Sequence, residues 1–517
     1  MNIGSLKNQL GLKRISKTLL NVAIVAYVAA VAYYLLFGPA RFHLLGVKIV
    51  LEDLFNPLLI LVVVVGLRLL LAITWNKKRV FDVIILSIST VVALGSIEAF
   101  YRIKYPDDMN PPRFTFNDAG KTQNNDRGPY SDGPKAPGVQ RIMVQGDSIT
   151  FGMGVPDYKD LYPYKLLKIL NKDSEKYDMQ VWALPGMQVD YHAENLNNVG
   201  EEVDPDIIVY QWFMNDTEIM LGRPKPIKAP WQKNPVHYYL ERWSILYRLV
   251  DGKLYTLAYQ QGAEYAQYLN TNMVPYKKGW WLFAREFHKW ATFANGLAGR
   301  SIVLVYPSLP FHGEYPFAKV TDAMISLAKP HEMKIPAAYL PKRDGLDEPG
   351  LGSTYELARV ARVGKTIAGH LTFGPYINFG RGQHQAGFNL KLLSPAPEGA
   401  RVALLEVVTD VGQTIMSSRT IYARDMEQVG QWKKFTLPFT VERRMLNEVE
   451  FRVEWFGEAD LALDTIDVPV DYKLEIVNPV EKLKTFNTHA RLFDAHPGPR
   501  AHTVLAEALA EQITNKR

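Results

Sequence analysis

The sequence predicts an α/β domain built on a parallel sheet, interrupted by an inserted antiparallel β-sandwich and preceded by three transmembrane helices. Three observations carry that prediction. Continuous Val/Ile-rich runs alternate with helical patterns between residues 139 and 306, as in a sheet covered on both faces. From about residue 367 to 470 the runs become closely spaced alternating strands. Leu19–Phe37, Leu58–Trp75 and Val80–Phe100 are apolar stretches near the roughly 20 residues that cross a hydrocarbon core.

Charge is distributed accordingly. The 517 residues carry a formal +6, but residues 1–79 hold ten Lys/Arg against two acids, leaving −2 for the remainder. Lys7, Lys13, Arg14 and Lys17 precede the first stretch, and Lys77, Lys78 and Arg79 separate the second from the third. The positive-inside rule then puts the N-terminus and the second loop in the cytoplasm and everything after about residue 101 outside it. The expectation is a multi-pass inner-membrane protein with an extracytoplasmic (periplasmic) catalytic domain and the lipid bilayer as a partner. A cleaved signal peptide is the rival for the first stretch. Ala30-Val31-Ala32 lies inside the apolar run, however, and two further stretches follow, which favours a retained anchor. Arg68 can snorkel from the inner end of the second. The basic surplus flanks apolar runs, so no nucleic-acid partner is expected. The absence of cysteine excludes disulfides and a thiolate nucleophile.

The expected organisation is an anchor over 1–101 and a Pro/Gly/Asn-rich tether over 102–138. The first part of the α/β domain covers 139–366, the insertion 367–470, and the last part of the α/β domain 471–517. In the first part, Ile142–Gln145, Gln180–Leu184, Asp206–Phe213 and Ser301–Tyr306 are predicted strands, and Tyr158–Asn171 and Val189–Val203 helices. The insertion contains FNLKLL, RVALLEVV, TIMSSRTIYA, KKFTLPFTV, EVEFRVEWF and ADLALDTI. YKLEIV then returns to the parallel sheet, and PRAHTVLAEALAEQIT is the last helix.

The run RIMVQGDSITFGMG drives a buried strand straight into Gly-Asp-Ser, so Ser148 stands just past a strand end, where open parallel sheets bind ligands. A serine hydroxyl is a weak nucleophile until a base takes its proton and a third group fixes that base. Two of the eleven histidines have an Asp two residues earlier. Asp190/His192 falls on a helix, where i and i+2 face different ways. Asp494/His496 falls in FDAHPGPRAH, a turn between the last strand and the last helix, and is the better pair.

GDSITFG, then LPG, MND and DAHP before a final helix, together resemble the four blocks of the SGNH (GDSL-type) hydrolase superfamily. The resemblance covers residues 139–335 and 471–515. It implies a flavodoxin-like three-layer fold and a catalytic triad of Ser148, Asp494 and His496. It also implies an oxyanion hole from Gly186 in ALPGMQ, Asn215 in FMND and the Ser148 backbone N–H. This sequence departs from the family pattern at Val181, where an Asn is common, at Phe213, where a Gly opens the block, and in its D-x-H spacing. An α/β-hydrolase is disfavoured, because its nucleophile follows several strands and its acid and base lie apart.

The implied function is that of a membrane-anchored serine esterase acting on O-acetyl or related esters of a polysaccharide or glycan, in the company of envelope polysaccharide machinery. With a sugar hydroxyl as acceptor, the same residues would make an O-acyltransferase. The alternative from another class is a non-catalytic glycan-binding or assembly subunit. No HExxH, P-loop or G-x-G-x-x-G is present, so no metal or nucleotide cofactor is expected. The aromatic stretch from Trp231 to Trp281 fits helix packing better than sugar stacking.

Overall fold

The computed structural model describes residues 18–19, 21–28, 40–44, 47–51, 77–104, 133–155, 157–218, 235–248, 250–251, 254, 263–307, 315–483, 489–491 and 494–515. The chain divides into two compact units, 1–111 with 224–261, and 112–223 with 262–517.

In the first unit, β1 (Ala40–Leu44) and β2 (Val47–Leu51) form an antiparallel hairpin. A 28-residue helix spans Lys77–Lys104 and a shorter one Pro235–Trp243. Glu98 accepts hydrogen bonds from the backbone N–H groups of Ile245 and Leu246 at 3.0 and 2.9 Å and from Ser244 Oγ at 3.0 Å. Its carboxylate therefore satisfies the start of a helical turn.

Among the described residues no helix is long and apolar enough to cross a membrane. The three transmembrane helices, and with them the multi-pass inner-membrane placement, are therefore corrected. Of Leu19–Phe37, residues 19 and 21–28 are described, and are helical; Leu58–Trp75 lies outside the described residues. Val80–Phe100 is helical, but Ser89, Ser96 and Glu98 interrupt its apolar surface, and Glu98 is committed to polar contacts. An apolar average along the chain does not distinguish one continuous apolar helix from a helix that is broken or polar in places.

The second unit contains the parallel sheet. Its strands are β3 (Gln140–Gly146), β4 (Tyr177–Ala183), β5 (Ile207–Trp212), β6 (Arg300–Val305) and, after a long excursion, β16 (Leu474–Val477). All neighbours are parallel, in the order β16-β6-β5-β3-β4. Numbered along the chain this is 2-1-3-4-5, the flavodoxin-like order, with its reversal between β3 and β5. Alternate residues of β3 serve opposite faces. Ile142 and Val144 pack with Tyr162, Leu166, Leu505 and Leu509, so the helices Tyr162–Leu170 and Pro499–Asn515 cover that side. Met143 joins Leu196, Phe287 and Trp290 of the helices Val189–Val203 and Lys278–Leu297 on the other. Three layers follow from a period of two read into helices on both faces.

Between β6 and β16 the chain builds a nine-stranded antiparallel sheet. Its strands are β7 (His331–Pro336), β8 (Leu346–Pro349), β9 (Leu357–Ala361), β10 (Gly369–Thr372), β11 (Pro375–Leu392), β12 (Arg401–Thr409), β13 (Thr414–Tyr422), β14 (Lys433–Trp455) and β15 (Leu461–Val470). The main path runs β13-β12-β14-β11-β15-β9-β8, with β10 on β14 and β7 on β15. Phe379, Phe388, Phe439 and Phe451 meet edge-to-face in its interior, the arrangement that aromatic quadrupoles favour.

Candidate active site

The carboxyl ends of β3, β4 and β5 present three loops at one edge of the parallel sheet. β3 ends on Gly146, and an added Cβ there would lie 2.0 Å from Thr150 Oγ1 and 2.7 Å from Gln211 Oε1. Only glycine lets the strand turn this closely. Asp147 then caps the one-turn helix Ser148–Phe151, its Oδ1 accepting the Ile149 N–H at 2.9 Å, and Gly152 closes the turn in the left-handed region at φ 81°. Thr150 Oγ1 donates to Gln211 Oε1 at 2.9 Å and lies 2.8 Å from Tyr162 Oη, which pins the Ser148 turn to its neighbours. Ser148 itself is half-buried.

The histidine that meets Ser148 comes from much later in the chain. β17 (His489–Arg491) and β18 (Asp494–Pro497) form a short antiparallel hairpin just before the final helix. His496 Nε2 lies 2.8 Å from Ser148 Oγ across 348 residues of sequence. Asp494 opens the same strand two residues earlier; its side chain lies outside the described residues.

Gly186 sits in the turn after β4 with φ 81°, exposed, and a Cβ there would meet nothing within 4 Å. Its role is conformational: the turn needs the left-handed region that side chains disfavour. Two residues on, Gln188 Nε2 donates to the Asn215 carbonyl at 3.0 Å and ties this turn to the loop after β5. Asn215 is buried, and its Nδ2 donates to Asp147 Oδ2 at 3.1 Å. The structure thus joins Ser148 to His496 directly, and joins the Gly186 and Asn215 loops to the Ser148 turn through Gln188 and Asp147. His192, the rejected candidate, is fully buried against Tyr210 with ring centroids 5.3 Å apart, and burial lowers its pKa to about 3. Trp280 and Trp281 are core residues, whereas Tyr238, Tyr239 and Trp243 are exposed.

Sequence reasoning passed over two buried carboxyls beneath this edge. Burial pushes Asp147 up from the ordinary carboxylate range, against the Ile149 N–H, the Asn215 amide and the charge of His496. Burial, with the Asp147 carboxyl as the next contributor, pushes Asp216 up further. Tyr210 Oη and the Phe213 N–H donate to Asp216 Oδ2 at 2.9 and 3.1 Å. The only signal was adjacency, since each Asp borders a candidate site residue.

A carboxyl whose folded pKa is raised stabilises the fold below its unfolded value of 3.8, and that stability is lost as pH rises through the folded pKa. Asp216→Asn keeps an acceptor for both donors and removes the ionisation. We expect it to raise the thermal midpoint by a few degrees at neutral pH, with the gap to the parent closing toward about pH 4. Melts across that range check it; a constant gap would assign the effect to something other than titration.

The chain matches no family model and no curated protein. Among solved structures it is similar to the C-terminal CBM6 of LamC, a marine laminarinase from Zobellia galactanivorans, at 12% identity over 27% of this chain and 100% of that one, TM-score 0.20. It is similar to TesA at 14% identity over 37% of this chain and 73% of that one, TM-score 0.22. It is also similar to a family 35 carbohydrate binding module from Clostridium thermocellum, at 11% identity over 27% and 97%, TM-score 0.19.

Proposed function

We propose that the protein is a serine esterase that removes an O-acyl group, of the acetyl type, from a glycan. The observation that carries the reading is the 2.8 Å approach of His496 Nε2 to Ser148 Oγ at the carboxyl edge of the sheet, beside the strand-order reversal. In this reading His496 takes the Ser148 proton as Oγ adds to the acyl carbon. The oxyanion that forms faces the N–H groups of Ser148 and Gly186 and the second N–H of the Asn215 amide, whose first is held by Asp147. Collapse expels the sugar oxygen, which takes the proton back from His496. Water then attacks the acyl-enzyme, gives a proton to His496, and releases the carboxylic acid and free Ser148. Asp494, two residues before the base, is assigned to fix the imidazole. The glycan half of the proposal assigns substrate binding to the nine-stranded antiparallel sheet set into the same chain, a second folded surface that acyl transfer at Ser148 does not itself need.

A fluorophosphonate probe tests this directly. Ser148 Oγ should displace fluoride from phosphorus, leaving one adduct per chain on the peptide containing residue 148, and His496→Ala should abolish the labelling. An adduct at another serine, or hydrolysis of p-nitrophenyl acetate that persists with no adduct, would overturn the assignment.

A further inference from the structure

A second concavity lies away from the strand ends. A cavity of about 590 Å³ opens between the helix Lys278–Leu297 and the middle of β11, within the size range of small-ligand sites. The helix lines it with His288, Ala291, Thr292 and Asn295, spaced i, i+3, i+4 and i+7 on one face. The opposite wall is Asn378 to His384 of β11, closed by Arg444 of β14 and by the link from β15 to β16.

That wall is irregular. The register of β11 on β14 shifts three times between Pro375 and Gly382, and Gly382 adopts φ 150°. Tyr376 and Glu448, both non-glycine, take φ 62° and 56° in the same strands. Bulges and strained residues that re-aim side chains concentrate where a surface has work to do.

The chemistry of the lining is cationic and amide-rich. Arg381, Arg444 and Lys473 face a single acid, Asp471. The Arg381 guanidinium and Lys473 ammonium are exposed and have no partner among the described residues. Arg444 is partly engaged: its Nε donates to the Gly296 carbonyl at 2.6 Å, and Glu201 lies 3.7 Å from its Nη1. Asn378 is only 4% exposed; its Oδ1 accepts the Glu448 N–H at 3.3 Å, and its amide nitrogen makes no hydrogen bond among the described residues. His288 is a fixed wall. Burial lowers its pKa to about 4, so the ring is neutral, donating from Nε2 to the Asn378 carbonyl and accepting at Nδ1 from Tyr472 Oη.

We propose that this cavity binds a short carboxylate-bearing oligosaccharide, a uronic-acid segment. Arg381 and Lys473 pair with its carboxylates, and the amides of Asn378 and Gln383 meet its hydroxyls. The inference deepens the glycan half of the reading above and is independent of the chemistry at Ser148.

The test is calorimetric titration of the full chain carrying Ser148→Ala with trigalacturonate, with its methyl-esterified trimer, and with inorganic phosphate. The acid trimer should bind at one site, and the methyl ester, uncharged and larger by one methyl per residue, at least tenfold more weakly. Arg381→Ala with Lys473→Ala should weaken the acid trimer at least tenfold at an unchanged melting midpoint. The proposal is overturned by no binding of the acid trimer, by equal binding of the ester, or by a double variant that binds like its parent. Phosphate that displaces the trimer at matching concentration would show a bare anion site and overturn it too. Binding retained alongside a failed fluorophosphonate label would leave this site standing while removing the esterase.

Discussion

Replacing Ser148 by alanine is expected to lower kcat for p-nitrophenyl acetate by about 10⁴-fold or more, and adding His496→Ala is expected to cost almost nothing further. Nucleophile and base act as one unit, so removing either already removes the covalent step, and single losses do not add. The 2.8 Å contact makes this a sharp case, because His496 Nε2 already lies on Ser148 Oγ. Folding is a small concern: Ser148 is half-buried, and the Asp147 cap and the closing bonds of its turn involve backbone groups that alanine retains. Initial rates for the two single variants and the double, with melts beside them, give the answer. A Ser148→Ala rate within a few-fold of the parent would end the esterase reading, and additive losses would separate the two residues.

Asn215→Ala should lower kcat by about 10²–10³-fold with KM little changed, the signature of a donor used in the transition state and not in the ground state. The same change leaves Asp147 Oδ2 without its amide donor inside the fold, which costs about 1–3 kcal/mol of stability. The two effects are read separately, one by steady-state kinetics and the other by denaturant titration. Asn215→Asp should be worse on both counts, since it sets a second carboxyl against the buried one of Asp147. An Asn215→Ala variant whose loss falls in KM alone would make Asn215 a substrate-binding residue.

Much of the architecture around Ser148 was legible because buried parallel strands announce themselves. IMVQ, IIVYQW and SIVLV can be little else, and a Gly or Asn that follows such a run lies at the ligand-binding edge by topology. The strands β7 and β8 were not legible. HEMKIP and LDEP are short and polar, and β7 pairs with Val470 to Thr465, more than a hundred residues ahead, so nothing local marks them. The buried state of Asp147 and Asp216 was equally hidden, because sequence places residues on loops but does not say which loop folds inward. The apolar stretches before residue 101 misled for the opposite reason. Composition counted their hydrophobicity, while the helix Lys77–Lys104 uses Glu98 to hold the 244–246 turn. At the site, the histidine of the D-x-H pair does lie beside Ser148, brought there by the β17–β18 hairpin; its role as base belongs to the proposal.

The 348-residue separation of Ser148 and His496 sets an order of events during synthesis. As the chain leaves the ribosome, Ser148 emerges and can settle at its strand end while the partner that would activate it has not yet been made. The whole antiparallel sheet, from β7 to β15, must follow before β16 can complete the parallel sheet and β18 can deliver His496. On the proposed assignment, a chain that stops before His496 would be chemically silent, with an inert alcohol at Ser148. Under the esterase proposal, acyl-transfer reactivity would be switched on only once His496 has been made, after the inserted sheet is in place.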